Sequence, residues 1–474
     1  MTERDGDRVR FGTVRPGTAL GGLQWRQLGL LVAAGAWALA VTRLVPGGAG
    51  AIVGLSGAAL CAVAALARPG GRLPVDWGVT GGRFAARRIS GRTRYRRRDG
   101  HPDRLPAHLD GVRILEVATD RGLIGVVRDG DRLVIALAID AEPMMLSGDA
   151  EAAVRRAAWG GVLAGLARPG AAVSRVQWIA RTHRLGPRAQ SAFVPPDPND
   201  TAPAAAVESY LDLVSRIGSE SREYALTLTL AVDRHRGNVG VAVQEVLDAA
   251  AELCDQIHAT GLGSARLLDP SALASELRSA GDDDLDDDLA ASPHGGVALP
   301  PAPTDIGPMG VAESWGDVRC DGIWHAVFWI SQWPHGEVAG DVLAPLVLAG
   351  PVMRSIAIVM EPRDPARAVR EAEHARLRDV ADDDLRERAG FIRTVRRSRQ
   401  QSAVSAQERE LADGHAAYRF TGYVAVAAAS REGLDDACRE LAVAATQARC
   451  EVRRVWGDQA AGLAAVLPLC RGLG

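Results

Sequence analysis

The residues of this chain that could do chemistry are ten histidines, six cysteines and several runs of carboxylates. A zinc site needs histidines or cysteines at short fixed spacings, and no histidine here has a partner at such a spacing. The sequence also lacks HExxH, GxSxG and a GxGxxG that opens a helix after a strand. The histidines without a ligand partner include His183, His235, His258, His325, His335, His374 and His415. We therefore assign no catalytic residue, no metal ligand and no cofactor.

Two histidines lie close to carboxylates in the sequence. His325 follows Asp321, and His235 lies between Asp233 and Arg236. Neighbouring side chains on a strand point to opposite faces, and solvated or core histidines are commoner than catalytic ones. Neither pair is favoured as a catalytic dyad, and the chain is expected not to be an enzyme.

Arginine provides all 55 basic residues, because the sequence contains no lysine. A GxxxxGK[ST] phosphate loop needs its lysine, so the chain is not itself a P-loop ATPase. Schiff-base lysines and SxxK nucleophile pairs are excluded for the same reason. The chain has 474 residues and a formal net charge of -3, and this length is enough for a membrane anchor and two globular domains.

The cysteines and the acidic runs both have structural explanations. No two cysteines form a CxxC pair, and they fall in apolar or helical surroundings, which favours reduced, buried thiols in the cytoplasm. The run Asp282 to Asp288 lacks the central glycine and terminal glutamate of an EF-hand loop, and Asp382 to Asp384 is a similar acidic run. Both are predicted to be solvated segments.

A long apolar stretch near the N-terminus, residues 27–67, contains only one charged residue, Arg43. It predicts two transmembrane helices joined by a turn at Arg43 to Gly50, where Pro46 and two glycines break the helix. A span needs roughly 20 apolar residues. A buried soluble hairpin is disfavoured because neither segment has a polar face, and a signal peptide because a second apolar segment follows directly.

The charges around this hairpin predict its orientation. Five arginines precede it and five follow it closely, whereas the connecting turn has Arg43 alone. The positive-inside rule then places both flanks, and therefore both termini, in the cytoplasm. The expected location is the cytoplasmic membrane, with two membrane passes.

A basic segment follows the hairpin, with nine arginines and four interleaved large apolar residues in residues 71–100. We interpret it as an amphipathic segment on the anionic inner leaflet. Nucleic-acid phosphate binding and a stop-transfer flank that only fixes topology remain alternatives. The arginines expected to make membrane-surface or phosphate contacts are Arg83, Arg87, Arg88, Arg92, Arg94, Arg96, Arg97 and Arg98.

The rest of the chain predicts a cytoplasmic α/β (α+β) body of two layered sheet-and-helix domains. Asp129-Gly130 predicts a β-hairpin, Asp149 and Pro169-Gly170 bound a helix, and Ser430 caps another helix. Strand and helix alternate in the last domain, which favours a ferredoxin-like or related α+β layer. The predicted division is residues 1–26 as a cytoplasmic arm, 27–67 as the hairpin, 68–104 as the basic segment, 105–280 as the first domain, 281–308 as an acidic and Pro-rich linker, and 309–474 as the second domain.

Other elements of the body are predicted from the same kinds of pattern. Strands are expected at residues 174–184, 223–232, 265–268, 323–334, 355–362, 416–428 and 451–456. Helices are expected at residues 206–217 and 241–260, and in the charged stretch 365–413.

Several stretches resemble one family. They include LPVDWGVTGGRFAARRISGRTRYR after the hairpin, DGIWHAVFWISQWP, SIAIVMEPRDPARAVREAE and ELADGHAAYRFTGYVAVAA. Together they are similar to an actinobacterial family of hairpin-anchored proteins encoded with PrgI-like membrane proteins and a TraC-like conjugation ATPase. Clusters of this kind resemble type IV secretion systems, and some members are labelled EccE-like, after type VII secretion. The resemblance runs from the hairpin to the end of the chain and transfers no active-site residue.

The resemblance implies a non-catalytic structural subunit of a secretion or conjugation machine. Its expected partners are the lipid bilayer, the secretion or conjugation ATPase and other membrane subunits, and homo-oligomerisation is an open question. A membrane-surface enzyme with an unrecognised site and a DNA-binding conjugation factor remain the alternatives.

Overall fold

The structure, a computed structural model, describes the chain in segments. The described residues are 8–10, 25–45, 47–67, 70, 72–97, 105–141, 148–184, 205, 208–209, 212–213, 222–234, 239–278, 306–334, 337–348, 350, 352–364, 367–370 and 416–472. The predicted linker 281–308, except its last three residues, lies outside them, as do most of the predicted helices at 206–217 and 365–413.

The described strands and helices are as follows. The strands are β1 (Arg8–Arg10), β2 (Arg94–Arg96), β3 (Val112–Thr119), β4 (Gly122–Asp129), β5 (Arg132–Ala141), β6 (Val173–Arg184), β7 (Arg222–Asp233), β8 (Gly263–Leu267), β9 (Gly310–Glu313), β10 (Val318–Cys320), β11 (Ile323–Gln332), β12 (Glu337–Ala339), β13 (Met353–Pro362), β14 (Tyr418–Ala428) and β15 (Glu451–Arg454). The helices are α1 (Trp25–Leu44), α2 (Gly48–Leu66), α3 (Pro74–Ile89), α4 (Asp149–Leu166), α5 (Val239–Ala259), α6 (Pro270–Arg278), α7 (Ala344–Leu348), α8 (Arg431–Gln447) and α9 (Gln459–Ala465).

These elements form two compact units. One contains α1, α2, α3 and the loop residues 456–458, and the other contains the strands and the remaining helices. We call the first the helical unit and the second the sheet body.

In the helical unit, α1 contains one stretch, Gln27–Leu44, that is long and apolar enough to cross a membrane. The apolar stretch of α2, Gly48–Val63, is shorter. The break between the helices is tighter than the predicted turn, because α1 continues through Arg43 and ends at Leu44. Gly47 then adopts a φ of 108°, a value that favours glycine, and α2 begins at the next residue.

The sheet body is built on one antiparallel sheet of 13 described strands. Their order is β2-β9-β10-β11-β14-β13-β6-β7-β5-β4-β3, with β15 also beside β11 and β8 also beside β5. The two predicted domains therefore contribute to the same sheet, since β6 of the first pairs with β13 of the second. A separate two-stranded sheet joins β1 to β12.

The same arrangement of elements occurs twice in this sheet. β5, α4, β6, β7, α5 and β8 form a βαββαβ unit with the spatial order β8-β5-β7-β6, and β11, α7, β13, β14, α8 and β15 repeat it. This is the ferredoxin-like topology. A strand pair precedes each unit (β3-β4 and β9-β10), and a helix follows each (α6 and α9). The second strands of the two units, β6 and β13, pair antiparallel, which relates the halves by an approximate two-fold axis.

The sheet is covered on both faces. In β5, Leu133, Ile135 and Leu137 pack with α5, whereas Val134 and Ala136 point to the opposite face and join a cluster with α6. The second half repeats this pattern, with α8 over one face and α9 over the other. The result is a three-layer body with apolar clusters above and below the sheet.

Residues 459–472, which we call the C-terminal strap, connect the two halves on the α9 face. The fully buried Gln177 of β6 donates from Nε2 to the Ala465 carbonyl (2.9 Å) and accepts at Oε1 from the Cys470 amide (2.7 Å). Tyr423 of β14 donates its hydroxyl to the Gly472 carbonyl (2.8 Å). The strap is therefore hydrogen-bonded to strands from both βαββαβ units.

Candidate functional site

The outer surfaces of α1 and α2 are apolar and exposed. The large apolar side chains there that are more than half exposed are Val32, Trp37, Leu39, Leu44, Ile52, Val53, Leu55, Leu60 and Val63. Soluble proteins rarely expose so much contiguous apolar surface, and a core hairpin would bury it. A surface of this kind indicates contact with lipid or with another apolar partner.

The inner seam of the same hairpin is tightly packed. A Cβ atom added to Gly54 would lie 3.1 Å from the Ala38 carbonyl oxygen, and one added to Gly57 would collide with the Trp37 indole. At the open end of the hairpin, the buried Gln27 donates from Nε2 to the Ala65 carbonyl (2.8 Å). Small residues that permit close helix approach and a polar side chain that bonds across the seam are typical of membrane helix pairs.

Three of the predicted contact arginines lie on α3. Arg83 and Arg88 are exposed. Arg87 is partly buried: it donates to the Gly457 carbonyl and to the Asp458 carboxylate (2.9 Å) within the helical unit. Burial raises the pKa of Asp458, and the charges of Arg87, Arg83 and Arg72 oppose that rise. Arg87 therefore has an internal partner, which sequence reasoning did not anticipate.

Four other predicted contact arginines belong to the sheet body. Arg92 lies 3.8 Å from the Asp110 carboxylate, with both side chains mostly exposed. Arg94 and Arg96 are exposed on β2 and face the same side because they are two residues apart on a strand. The backbone amide of Arg97 donates to the Met309 carbonyl (2.8 Å). The eight arginines thus divide between two compact units, and Arg98 lies outside the described residues.

Among the described residues, no group of three histidine, cysteine, aspartate or glutamate side chains is arranged to hold a metal ion. His325 is buried, and the Asp321 carboxylate accepts from the Met309 and Gly310 amides (2.9 and 2.6 Å). Asp321 has a φ of 45° in the β10-β11 turn, and its carboxylate connects this turn to the start of β9. His235, His335, His374 and His415 lie outside the described residues.

All six cysteines are free thiols in the described chain. Burial raises the pKa of Cys450 to about 11 and that of Cys470 to about 12. It also raises the pKa of Cys254, Cys320 and Cys438. These thiols stay protonated at neutral pH and are poor nucleophiles, because the thiolate is the reactive form.

A charged cavity of about 430 Å³ lies where β4, β5, β6 and β7 meet the C-terminal strap. Its charged lining residues are Asp129, Asp131, Arg132, Arg175, Asp233, Arg234 and Arg471. Each carboxylate is paired: Asp129 with Arg471 (2.6 Å), Asp131 with Arg234 (3.0 Å) and Asp233 with Arg132 (3.0 Å). Burial and the nearby Arg132 charge lower the pKa of Arg175. Guanidinium and carboxylate charges nearly balance here, so the cluster is best explained as an ion-pair network that fixes the strap.

An apolar cleft of about 240 Å³ lies over the centre of the sheet. Its floor comes from β6, β11 and β13. Its walls carry Trp159 of α4 on one side, and Val347 of α7 with the preceding Leu343 on the other. The cleft reflects an asymmetry between the repeats, because α4 has 18 residues and its counterpart α7 has five. The sequence analysis did not predict an open cleft here.

No protein-family model matches the sequence, and no curated protein is significantly similar to it.

Proposed function

We propose that this chain is a non-catalytic structural subunit of a bacterial secretion or conjugation machine. In this proposal both α1 and α2 cross the cytoplasmic membrane, and the sheet body docks a partner ATPase on the cytoplasmic side. The observation that carries the proposal is the exposed apolar surface on both helices of a tightly packed hairpin. The sequence resemblance supplies the kind of machine.

The second span and the orientation are part of this proposal. α2 has 19 residues, close to the lower limit of about 17 for a span, and its exposed Ile52, Leu55 and Leu60 match those of α1. The bias of arginines toward the flanks favours cytoplasmic termini. Protease digestion of sealed right-side-out and inverted vesicles tests this: a C-terminal tag should be cleaved only in inverted vesicles.

The experiment that tests the partner assignment is affinity purification from detergent-solubilised native membranes, followed by mass spectrometry. We expect a secretion or conjugation ATPase, together with other membrane subunits, in a near-fixed ratio to this chain. Purification of the chain alone, with the body folded, would overturn the scaffold assignment.

Two other functions rest on specific observations. The apolar cleft beside Trp159 favours a membrane-surface enzyme that binds an apolar substrate, and a turnover abolished by a folded, inserted alanine variant would support it. The exposed Arg88, Arg94 and Arg96 favour a DNA-binding conjugation factor. In that case affinity should fall steeply with salt, with a log-log slope of about -0.9 for each phosphate contact on duplex DNA.

A further inference from the structure

Helix α3 is apolar on two opposite faces. Its covered face carries Leu73 at the N-cap position, Trp77 and Phe84, with relative exposures of 5% for Leu73 and 8% for Phe84. The opposite face consists of residues three or four apart, all exposed, which we call the α3 stripe: Val75, Val79, Gly82, Ala86 and Ile89. Residues at this spacing form one continuous face of a helix.

The α3 stripe is unusual for a surface in contact with water. Val75 and Val79 are about half exposed and Ile89 is 87% exposed, in a segment otherwise rich in arginine. Arg83 lies at the border of the stripe, whereas Arg88 lies four residues after Phe84, on the side of the helix opposite Val79; both are exposed. An apolar face with a cation at its border matches a bilayer surface, where acyl chains lie beneath anionic phosphates.

The position of α3 in the chain points to the same partner. Eight residue steps separate Leu66, the end of α2, from Pro74, the start of α3. At no more than about 3.6 Å per residue, the start of α3 lies within about 30 Å of the end of α2. If α2 crosses the bilayer, α3 is held within reach of the headgroups.

A nucleic acid fits this surface less well. Proteins that bind single strands stack bases on aromatic side chains, but the aromatic residues of α3, Trp77 and Phe84, lie on the covered face. Arg87 also points inward, to Gly457 and Asp458. The outward surface of α3 thus offers aliphatic side chains and Arg83, but no aromatic side chain on which a base could stack.

We propose that α3 lies in the headgroup region of an anionic bilayer, with the α3 stripe inserted among the acyl chains and Arg83 at the lipid phosphates. This inference rests on the proposed membrane anchoring by α1 and α2. The basic segment then contacts lipid through α3, and the α3 stripe is the side of the helix that makes this contact.

The test uses photocrosslinking in the full-length chain in native membranes. Photoreactive p-benzoylphenylalanine is placed at Val79 or Gly82 within the stripe, and at the adjacent Gly81 as the matched control. Gly81 and Gly82 both have open space around an added Cβ, so the two variants differ chiefly in the direction of the probe. We expect lipid adducts at positions 79 and 82 to exceed those at 81 several-fold, as measured by mass spectrometry.

Each other outcome overturns the proposal in a recognisable way. Equal lipid labelling at positions 81 and 82 would show that no side of α3 faces lipid preferentially. Protein or nucleic-acid adducts at position 79 would show that the α3 stripe contacts a different partner. Alkaline carbonate extraction of the same membranes separates this result from the anchoring itself. A chain that resists extraction but gives no lipid adduct refutes only the α3 inference, whereas a chain released by carbonate refutes the anchoring as well.

Discussion

The α1-α2 hairpin and the sheet body place the same residue types in opposite surroundings. Leu39 of α1 is 68% exposed, whereas Leu230 of β7 is fully buried. The body also buries Gln177, whose side-chain amide has internal hydrogen-bond partners, as is usual in the core of a protein folded in water. We propose that this difference reflects two solvents, lipid around the hairpin and water around the body, and the following substitutions test it.

The largest contrast is expected between two leucine truncations. Leu230→Ala removes a fully buried side chain from the centre of the body and should lower the free energy of unfolding by about 2–5 kcal/mol. Leu39→Ala should change it by less than about 0.5 kcal/mol, because that side chain packs little within the protein. Urea unfolding of the detergent-solubilised chain, followed by tryptophan fluorescence, measures both. Equal effects would show that α1 is part of a soluble core.

A matched pair of glutamines tests the polar interactions of the two regions. Gln177→Leu leaves the Ala465 carbonyl and the Cys470 amide without their buried partner and should cost about 2–4 kcal/mol. Gln27→Leu removes one bond across the hairpin seam and should cost about 1 kcal/mol or less, as is usual for hydrogen bonds between membrane helices. Thermal unfolding in detergent, with each variant compared to the parent, gives the ranking. A larger loss for Gln27→Leu would reverse our assignment of the two solvents.

Acidification should destabilise the body through His108. Burial, with a smaller effect of the Arg471 charge, lowers the pKa of His108 from 6.5 to about 4. The folded state therefore holds His108 neutral, and its contribution is complete above pH 6.5 and is lost as the pH falls toward 4. The loss should reach up to about 3 kcal/mol. A His108→Gln variant should lose less stability over this pH range, and an unchanged pH dependence would contradict the assignment.

Within the body, the smallest expected effect is that of a helix cap. Ser430 accepts from the Gly433 amide (3.0 Å) at the start of α8. Ser430→Ala should lower the free energy of unfolding by about 1 kcal/mol. Ser430→Asp should retain most of the stabilisation by the cap, because aspartate is also a favourable N-cap residue. Chemical denaturation of the three proteins distinguishes a lost cap from a general packing defect, which Asp would not rescue.

Local signals in the sequence predicted the local structure well. The β4-β5 hairpin at Asp129-Gly130, the end of α4 before Pro169-Gly170 and the Ser430 cap are all confirmed. Each depends on a few neighbouring residues whose backbone preferences are strong. Short strands such as β9 and β10, and the alanine-rich α9, were missed because they have too few residues to show a period.

The arrangement of those elements could not be predicted in the same way. β6 and β13 pair across more than 170 residues, and nothing in either strand specifies the other. The two βαββαβ units became visible only through their matching strand order. The ferredoxin-like prediction was made for the second half alone, although the first half has the same topology.

The features of the candidate site were likewise predicted only in part. The sequence identified the arginines by type, but not that Arg87 pairs with Asp458. The α3 stripe was overlooked because Val75, Val79 and Ile89 are dispersed among glycines and arginines. Their spacing of four and ten residues is a helical signal that could have revealed it.

We propose above that the hairpin holds a partner ATPase at the membrane through the sheet body. The most direct measurement is fractionation of cells that carry either the full chain or a chain without residues 25–66, combined with purification of each tagged chain. We predict that the ATPase co-purifies with both chains and is found with the membrane only when the hairpin is present. An ATPase that co-purifies with neither chain, or that stays at the membrane in both strains, would contradict the account.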